Sequence, residues 1–374
     1  MLFKDVIGQQ EIKRRLIRSV IEQRISHAIM FTGSEGVGKL PLAIAFAQYV
    51  SCRNRSENDS CGVCASCIKY NKLVHPDLHF SFPVFTTPQN TKPISDDFLS
   101  KWREMVLKSP YFTLSQWLSH IESGNAQGLI YERESDSISR KFNLKSFESE
   151  YKVLIMWLPE KMNLSCSNKL LKLIEEPIGK TLIILVTEDE AGVIPTIRSR
   201  AQPLKIPLID KESLRNALEK KGEVPEDQID DLVRLANGNY LTALEYIDPD
   251  QNTAYFFEKF QEMMRLAYTP KVFELTKWAD EMAGLGRDRQ KAFFSFSLRM
   301  IREYFMMNMN HSDLIYLKQE EKEWGDRFAP FINERNIFPL FKEFETGIEH
   351  ISYNGNPRII FLDTALRVVK LIKR

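Results

Sequence analysis

The segment Gly33-Ser34-Glu35-Gly36-Val37-Gly38-Lys39-Leu40 constrains this chain more than any other. It matches G-x-x-x-x-G-K, and its flanks fit the pattern. The apolar run His27-Ala28-Ile29-Met30-Phe31 ends just before it, and a helical pattern through Leu42, Ala43, Ala45, Phe46 and Tyr49 starts just after. A short apolar run closed by glycine predicts a buried parallel strand. Strand, glycine turn and helix together aim backbone N–H groups, a helix N-terminus and a lysine at phosphate oxygens. Gly33, Gly36, Gly38 and Lys39 are therefore the residues that would hold the phosphates of ATP or ADP. The eighth position departs from the pattern. Leu40 stands where a Ser or Thr hydroxyl binds Mg²⁺, so that ligand is lost. Hydrolysis is not expected, and retained nucleotide binding is left open.

Two more buried strands are predicted at Tyr151–Met156 and Thr181–Thr187, with a helix at about 163–175 ending at Glu176-Pro177. Strands alternating with helices predict a three-layer α/β domain with a parallel sheet flanked by helices. An active P-loop ATPase ends its second strand in a carboxylate. Here Trp157-Leu158 follow the strand, and Glu160 stands beyond Pro159, poorly placed as a substitute. Residues 10–24 read as an amphipathic helix. Ile12, Leu16, Ile17, Val20 and Ile21 share one face, with Lys13, Arg14, Arg15 and Arg18 largely off it. Residues 80–128 show little periodicity and read as an irregular insertion with one helix near Phe98–Leu107.

Cys52, Cys61, Cys64 and Cys67 form C-x8-C-x2-C-x2-C, four of the five cysteines in the chain. Tetrahedral zinc takes four soft ligands, and C-x2-C spacing lets two thiolates reach one ion. This predicts a structural zinc knuckle at 52–67; four cysteines close the shell and leave no open position for catalysis. Cys166 lies on a predicted helix and reads as a core residue.

Beyond about 208 the strand signals end. Residues 211–248 read as short helices broken at Gly222, Pro225 and Gly238. Residues 252–374 read as helical and rich in Phe, Met and Trp. The last helix starts at Pro357, with Leu362, Ala365, Leu366, Val369 and Ile372 as its apolar face. The chain carries 51 Lys and Arg against 50 Asp and Glu, a net charge of +1, which excludes a strongly basic nucleic-acid protein. Residues 1–75 hold a local excess of basic side chains, read either as a solvated face or as contact with nucleic-acid phosphate. No run reaches the ~18 apolar residues of a membrane span, and the first residues lack a signal-peptide pattern. A cytoplasmic location is the expectation.

These residues together resemble bacterial clamp-loader AAA+ subunits. The resemblance rests on the P-loop helix with its four-cysteine knuckle, on Lys169-Leu170-Leu171-Lys172-Leu173-Ile174-Glu175-Glu176-Pro177, and on Pro195-Thr196-Ile197-Arg198-Ser199-Arg200-Ala201-Gln202. Phe3-Lys4-Asp5-Val6-Ile7-Gly8-Gln9, Ser26-His27-Ala28 and Asn354-Gly355-Asn356-Pro357-Arg358 add to it. The second stretch resembles the family's Ser-Arg-Cys motif, with Ala201 where cysteine is usual. Two kinds of subunit share this layout: the gamma/tau kind, which hydrolyses ATP, and the delta-prime kind of DNA polymerase III, a stator with a degraded site. Leu40, Trp157-Leu158 and Leu241, the last standing where an active lid carries arginine, point to the second kind; an active gamma/tau-like ATPase is the alternative.

The resemblance implies an AAA+ domain at 1–207, a small helical lid at 208–250 and an all-α collar at 251–374. It implies that Arg200, beside Ser199, acts as an arginine finger in a neighbour's ATP site. It implies gamma/tau and delta subunits as partners, with the sliding clamp and primer–template DNA reached through the complex. The chain would be one component of a DNA-directed DNA polymerase holoenzyme, with structural Zn and no Mg of its own.

Overall fold

The computed structural model describes every residue except 89, 123–126, 248–250, 310–314, 316 and 374. The chain divides into two compact units, Met1–Ile247 and Asp248–Arg374.

The first unit is built on five parallel strands: β1 (Ala28–Thr32), β2 (Leu78–Ser81), β3 (Lys152–Trp157), β4 (Thr181–Thr187) and β5 (Gln202–Lys205). Their order is β2-β3-β4-β1-β5. β1 lies between β4 and β5, with Phe31 opposite Val186 and Leu204. β1, β3 and β4 are buried at every residue, which is why they read as unbroken apolar runs. Side chains alternate between the two faces of the sheet. Ile29, Phe31, Ile155, Ile184 and Val186 join one core, while Met30, Leu154, Met156, Ile183 and Leu185 join the other.

The helices of this unit, in chain order, begin with α1 (Gln10–Ile21), α2 (Lys39–Ser51) and α3 (Ala65–Asn71). Next come α4 (Leu99–Lys108), α5 (Leu114–His120), α6 (Glu132–Phe142) and α7 (Leu164–Glu175). A short α8 (Pro195–Arg198) precedes α9 (Lys211–Lys221), α10 (Glu226–Ala236) and α11 (Tyr240–Ile247). α2 is buried along its whole length in the first core. Cys166 of α7 is fully buried in the second, packed beside Leu170 and Ile174. α9, α10 and α11 enclose a small core of their own around Leu214, Leu218, Ile229 and Ala243.

Three local expectations are corrected. Ile21 is 60% exposed, because it is the last residue of α1 and lies past the packed turn. Lys13, expected off the apolar face, is buried, and its Nζ donates to the Val6 carbonyl at 2.7 Å. The aliphatic stem packs and the amine finds an acceptor. The segment 80–128 holds more order than expected: the helix expected near Phe98–Leu107 is α4, and most of 82–94 is irregular where described. It completes the edge strand β2 and forms α4 and α5 around an aromatic cluster. Trp102 stacks on Phe82 at 4.2 Å and meets Trp117 edge-on at 5.2 Å. Trp117 Nε1 donates to the Pro83 carbonyl at 2.8 Å. α5, missed in the sequence, has seven residues and is too short to show a clear period.

The second unit is helical: α12 (Gln251–Tyr268), α13 (Val272–Ala283), α14 (Arg287–Asn308), α15 (Gln319–Phe328), α16 (Ile337–Ser352) and α17 (Pro357–Leu371). Its core is aromatic, with Phe294 stacked on Phe361 at 4.7 Å. Gly347 lets α16 approach α14; a Cβ there would lie 2.8 Å from the Phe294 ring. Asn356 caps α17, accepting from the Arg358 N–H at 3.0 Å. The buried stripe of α17 is centred on Phe361, Ala365 and Val368, about one residue earlier than the expected Leu362–Ile372 face.

Candidate functional site

The glycine loop joins the end of β1 to α2 with left-handed backbone at Gly36 (φ 73°) and Gly38 (φ 88°), which only glycine adopts freely. Lys39, the first residue of α2, is buried. Its Nζ donates to the Gly33 carbonyl at 2.8 Å and to the Ser34 carbonyl, and Glu188 Oε1 lies 3.7 Å away. Burial lowers the Lys39 pKa against the pull of Glu188 and Glu35. The lysine thus spends its donors on the loop itself.

The space beside the loop is closed by Leu40, Pro110, Tyr111, Phe112, Trp157 and Leu241, leaving about 20 Å³. That is roughly the room one water needs, against the ~300 Å³ at the small end of ligand pockets. From the α11 side, the Asn239 side chain covers Gly36, where a Cβ would lie 1.7 Å from Asn239 Oδ1. Asn239 Oδ1 also accepts the Leu241 and Thr242 N–H groups at 3.0 and 3.2 Å, and the Tyr240 N–H donates to the Gly36 carbonyl at 3.1 Å. In the arrangement described, the space against the loop does not admit the phosphates of a nucleoside triphosphate.

The carboxylate nearest the end of β3 is engaged with the chain itself. Glu160 accepts from the Thr187 hydroxyl at 2.7 Å and from the Glu188 N–H at 3.1 Å. It tethers the ends of β3 and β4 together. Burial and the neighbouring Glu188 charge push the Glu35 carboxyl up to about 7.

Cys52, Cys61, Cys64 and Cys67 converge as their spacing predicts, with all four Sγ atoms within 4.8 Å of one another. Cys52 and Cys61 Sγ are 3.6 Å apart, and Cys61 and Cys67 Sγ 3.9 Å. A tetrahedral shell with Zn–S bonds of ~2.3 Å sets sulfurs roughly 3.8 Å apart, so the cage has the dimensions of a zinc site. The Cys61 N–H donates to Cys52 Sγ and the Cys64 N–H to Cys61 Sγ, both at 3.3 Å. The cluster is also tied to the N-terminal segment. Asp59, within the loop between the first two cysteines, accepts the Phe3 and Lys4 N–H groups at 3.0 and 3.1 Å.

Arg200 follows α8 on the surface, its side chain 39% exposed. Its Nε pairs with Glu175 Oε1 of α7 at 2.6 Å, and Nη1 donates to the Thr196 carbonyl at 2.9 Å and to the Ser199 hydroxyl at 3.3 Å. Ser199 and Arg200 are therefore brought together, far from the chain's own glycine loop in sequence. Arg198 Nε is buried with no hydrogen-bond partner among the described residues.

Sequence reasoning missed Tyr111, Phe112 and Asn239 as parts of the glycine-loop site. The two aromatics come from a segment without period, and Asn239 sits in a turn. The only available cue for Asn239 was its place as an N-cap before a helical pattern.

The model of the family described as DNA polymerase III, delta subunit matches residues 8–210, more than half of the chain. The chain is 25% identical over 210 residues to DNA polymerase III subunit delta' of Bacillus subtilis, covering 56% of this chain and 51% of that one. It is 24% identical over 251 residues to subunit tau of the same organism, covering 66% and 37%. The chain thus spans about half or less of the length of these relatives. A solved gamma subunit-related protein from Thermotoga maritima aligns with 98% of this chain and 100% of its own at 14% identity and a TM-score of 0.40. On the match over residues 8–210, the chain belongs to the DNA polymerase III delta subunit family of clamp-loader proteins.

Proposed function

We propose that this chain is a non-hydrolysing, delta-prime-type stator of a clamp loader, and that it helps load a sliding clamp onto primed DNA. The observation that carries this reading is the closed glycine loop: Lys39 bonded to its own loop carbonyls, and about 20 Å³ left beside it. Leu40, Trp157-Leu158 and Leu241 support the same reading, since each lacks a polar group that an ATPase site uses.

Its contribution to catalysis is made in trans. Arg200 would leave Glu175 and stabilise charge developing on the γ-phosphate bound by a gamma/tau neighbour, with Ser199 orienting it. Surface pairs of this exposure are held by only ~0–1 kcal/mol, so exchanging Glu175 for phosphate costs little. Residues 208–250 act as the lid and 251–374 as the collar that joins gamma/tau and delta subunits. The four cysteines hold a structural zinc ion, through which no chemical step passes.

The test is reconstitution with gamma/tau and delta subunits. Arg200→Ala is expected to leave assembly intact and lower DNA-stimulated ATP turnover by the complex. Full turnover in the mutant complex, or turnover by this purified chain alone, would sink the reading.

A further inference from the structure

Resting on the non-hydrolysing reading, we infer that the Pro110–Phe112 turn is a built-in ligand of the glycine loop, clasping the loop to α11 so that the 208–247 helices keep their place without nucleotide. Tyr111 makes the clasp. Its phenol oxygen accepts the Ile7 N–H at 3.0 Å. Its ring lies on Gly38, where a Cβ would stand 3.0 Å from the phenol oxygen. It meets Tyr240 of α11 edge-to-face at 5.0 Å. The N-terminal segment, the glycine loop and α11 thus share one side chain. A buried tyrosine seats its ring in apolar surroundings only if its hydroxyl finds a partner, and here it does.

The turn is fixed from behind. Phe112 packs edge-on against Trp157 at 5.1 Å and Trp102 at 5.6 Å. Ser109 Oγ donates to the Tyr111 carbonyl at 3.1 Å. The aromatic cluster of the 80–128 segment therefore has a task beyond its own stability: it presents Tyr111 to the loop. Backbone contacts complete the clasp, with the Tyr240 N–H on the Gly36 carbonyl and the Ile209 N–H on the Gly238 carbonyl at 3.0 Å.

Amide hydrogen exchange on the full chain, with and without ATP and Mg²⁺, tests this. The wild type is expected to protect the Ile7, Leu241 and Thr242 amides without nucleotide, and ATP is expected to change none of them. Tyr111→Ala should speed exchange at these amides about tenfold or more, while β1 and β4 keep their protection. Tyr111→Phe keeps the ring and drops the acceptor, so acceleration should be confined to Ile7. ATP-dependent protection in the wild type, or unchanged exchange at Ile7 in Tyr111→Phe, would overturn the inference. If Tyr111→Ala unfolds the sheet, the Tyr111→Phe result decides. ATP turnover by the isolated chain would instead remove the reading on which the inference rests.

Discussion

Arg200 Nε lies 2.6 Å from Oε1 of Glu175, so the arginine proposed to act in a neighbour's site is parked on a carboxylate of its own chain. Both side chains are about two-fifths exposed. Glu175→Ala should therefore change folding stability by no more than ~0.5 kcal/mol, as measured by urea denaturation. In the reconstituted complex it should leave turnover unchanged or raise it, because the arginine no longer has a competitor. A fall as large as that caused by Arg200→Ala would show that Glu175 is needed for more than parking.

The sulfur cage predicts about one zinc ion per chain by elemental analysis. Cys64→Ser should lower metal content and expose the N-terminal segment to proteolysis, since Asp59 holds the Phe3 and Lys4 amides from inside the cysteine loop. Full metal content in the variant would place the ion elsewhere.

Trp102 is fully buried against Phe82, Trp117 and Trp157. Truncation to Ala removes a large ring from a packed site and should cost about 3–5 kcal/mol. The check is the shift in denaturation midpoint at unchanged slope. A shift below ~1 kcal/mol would mean that the 80–128 segment folds loosely.

Glu35 titrates at about 7 beside Glu188, Lys39 and Glu245, above the ordinary value of 4.5. A folded-state pKa raised in this way means that the folded chain holds a proton the unfolded chain has released. The associated stability is present below about 4.5 and is lost as the pH rises through about 7. Glu35→Gln should flatten the fall in stability across that window and leave the variant more stable than wild type at pH 8. Parallel pH profiles would show that Glu35 does not contribute.

Much of the first unit was legible because β1, β3 and β4 are buried on both faces and α1, α2 and α7 run for twelve or thirteen residues. β1, β3 and β4 are continuous apolar runs, and α2 follows directly from the glycine turn. The four cysteines were legible for another reason: metal ligation needs residue types at close spacing, and spacing is written in the chain. β2 and β5 were not legible. Each has four residues; β2 carries His79 between Leu78 and Phe80, while β5 is exposed at three positions and carries Pro203. The clasp of Tyr111 on Gly38 was hidden as well, because it joins segments about 70 residues apart through a side-chain contact that leaves no period.

The alternation of β4 between the two cores has a consequence for changes of chain length. Inserting one residue at Ile184 would turn every following side chain of the strand through to the opposite face. Val186 would leave its core and Leu185 would exchange layers with it. Thr187, whose hydroxyl reaches Glu160, would lose the bond that ties the ends of β3 and β4 together. A single added codon there is thus a graver lesion than most substitutions, and a screen of one-residue insertions would map the sheet as sharply as any set of point mutants.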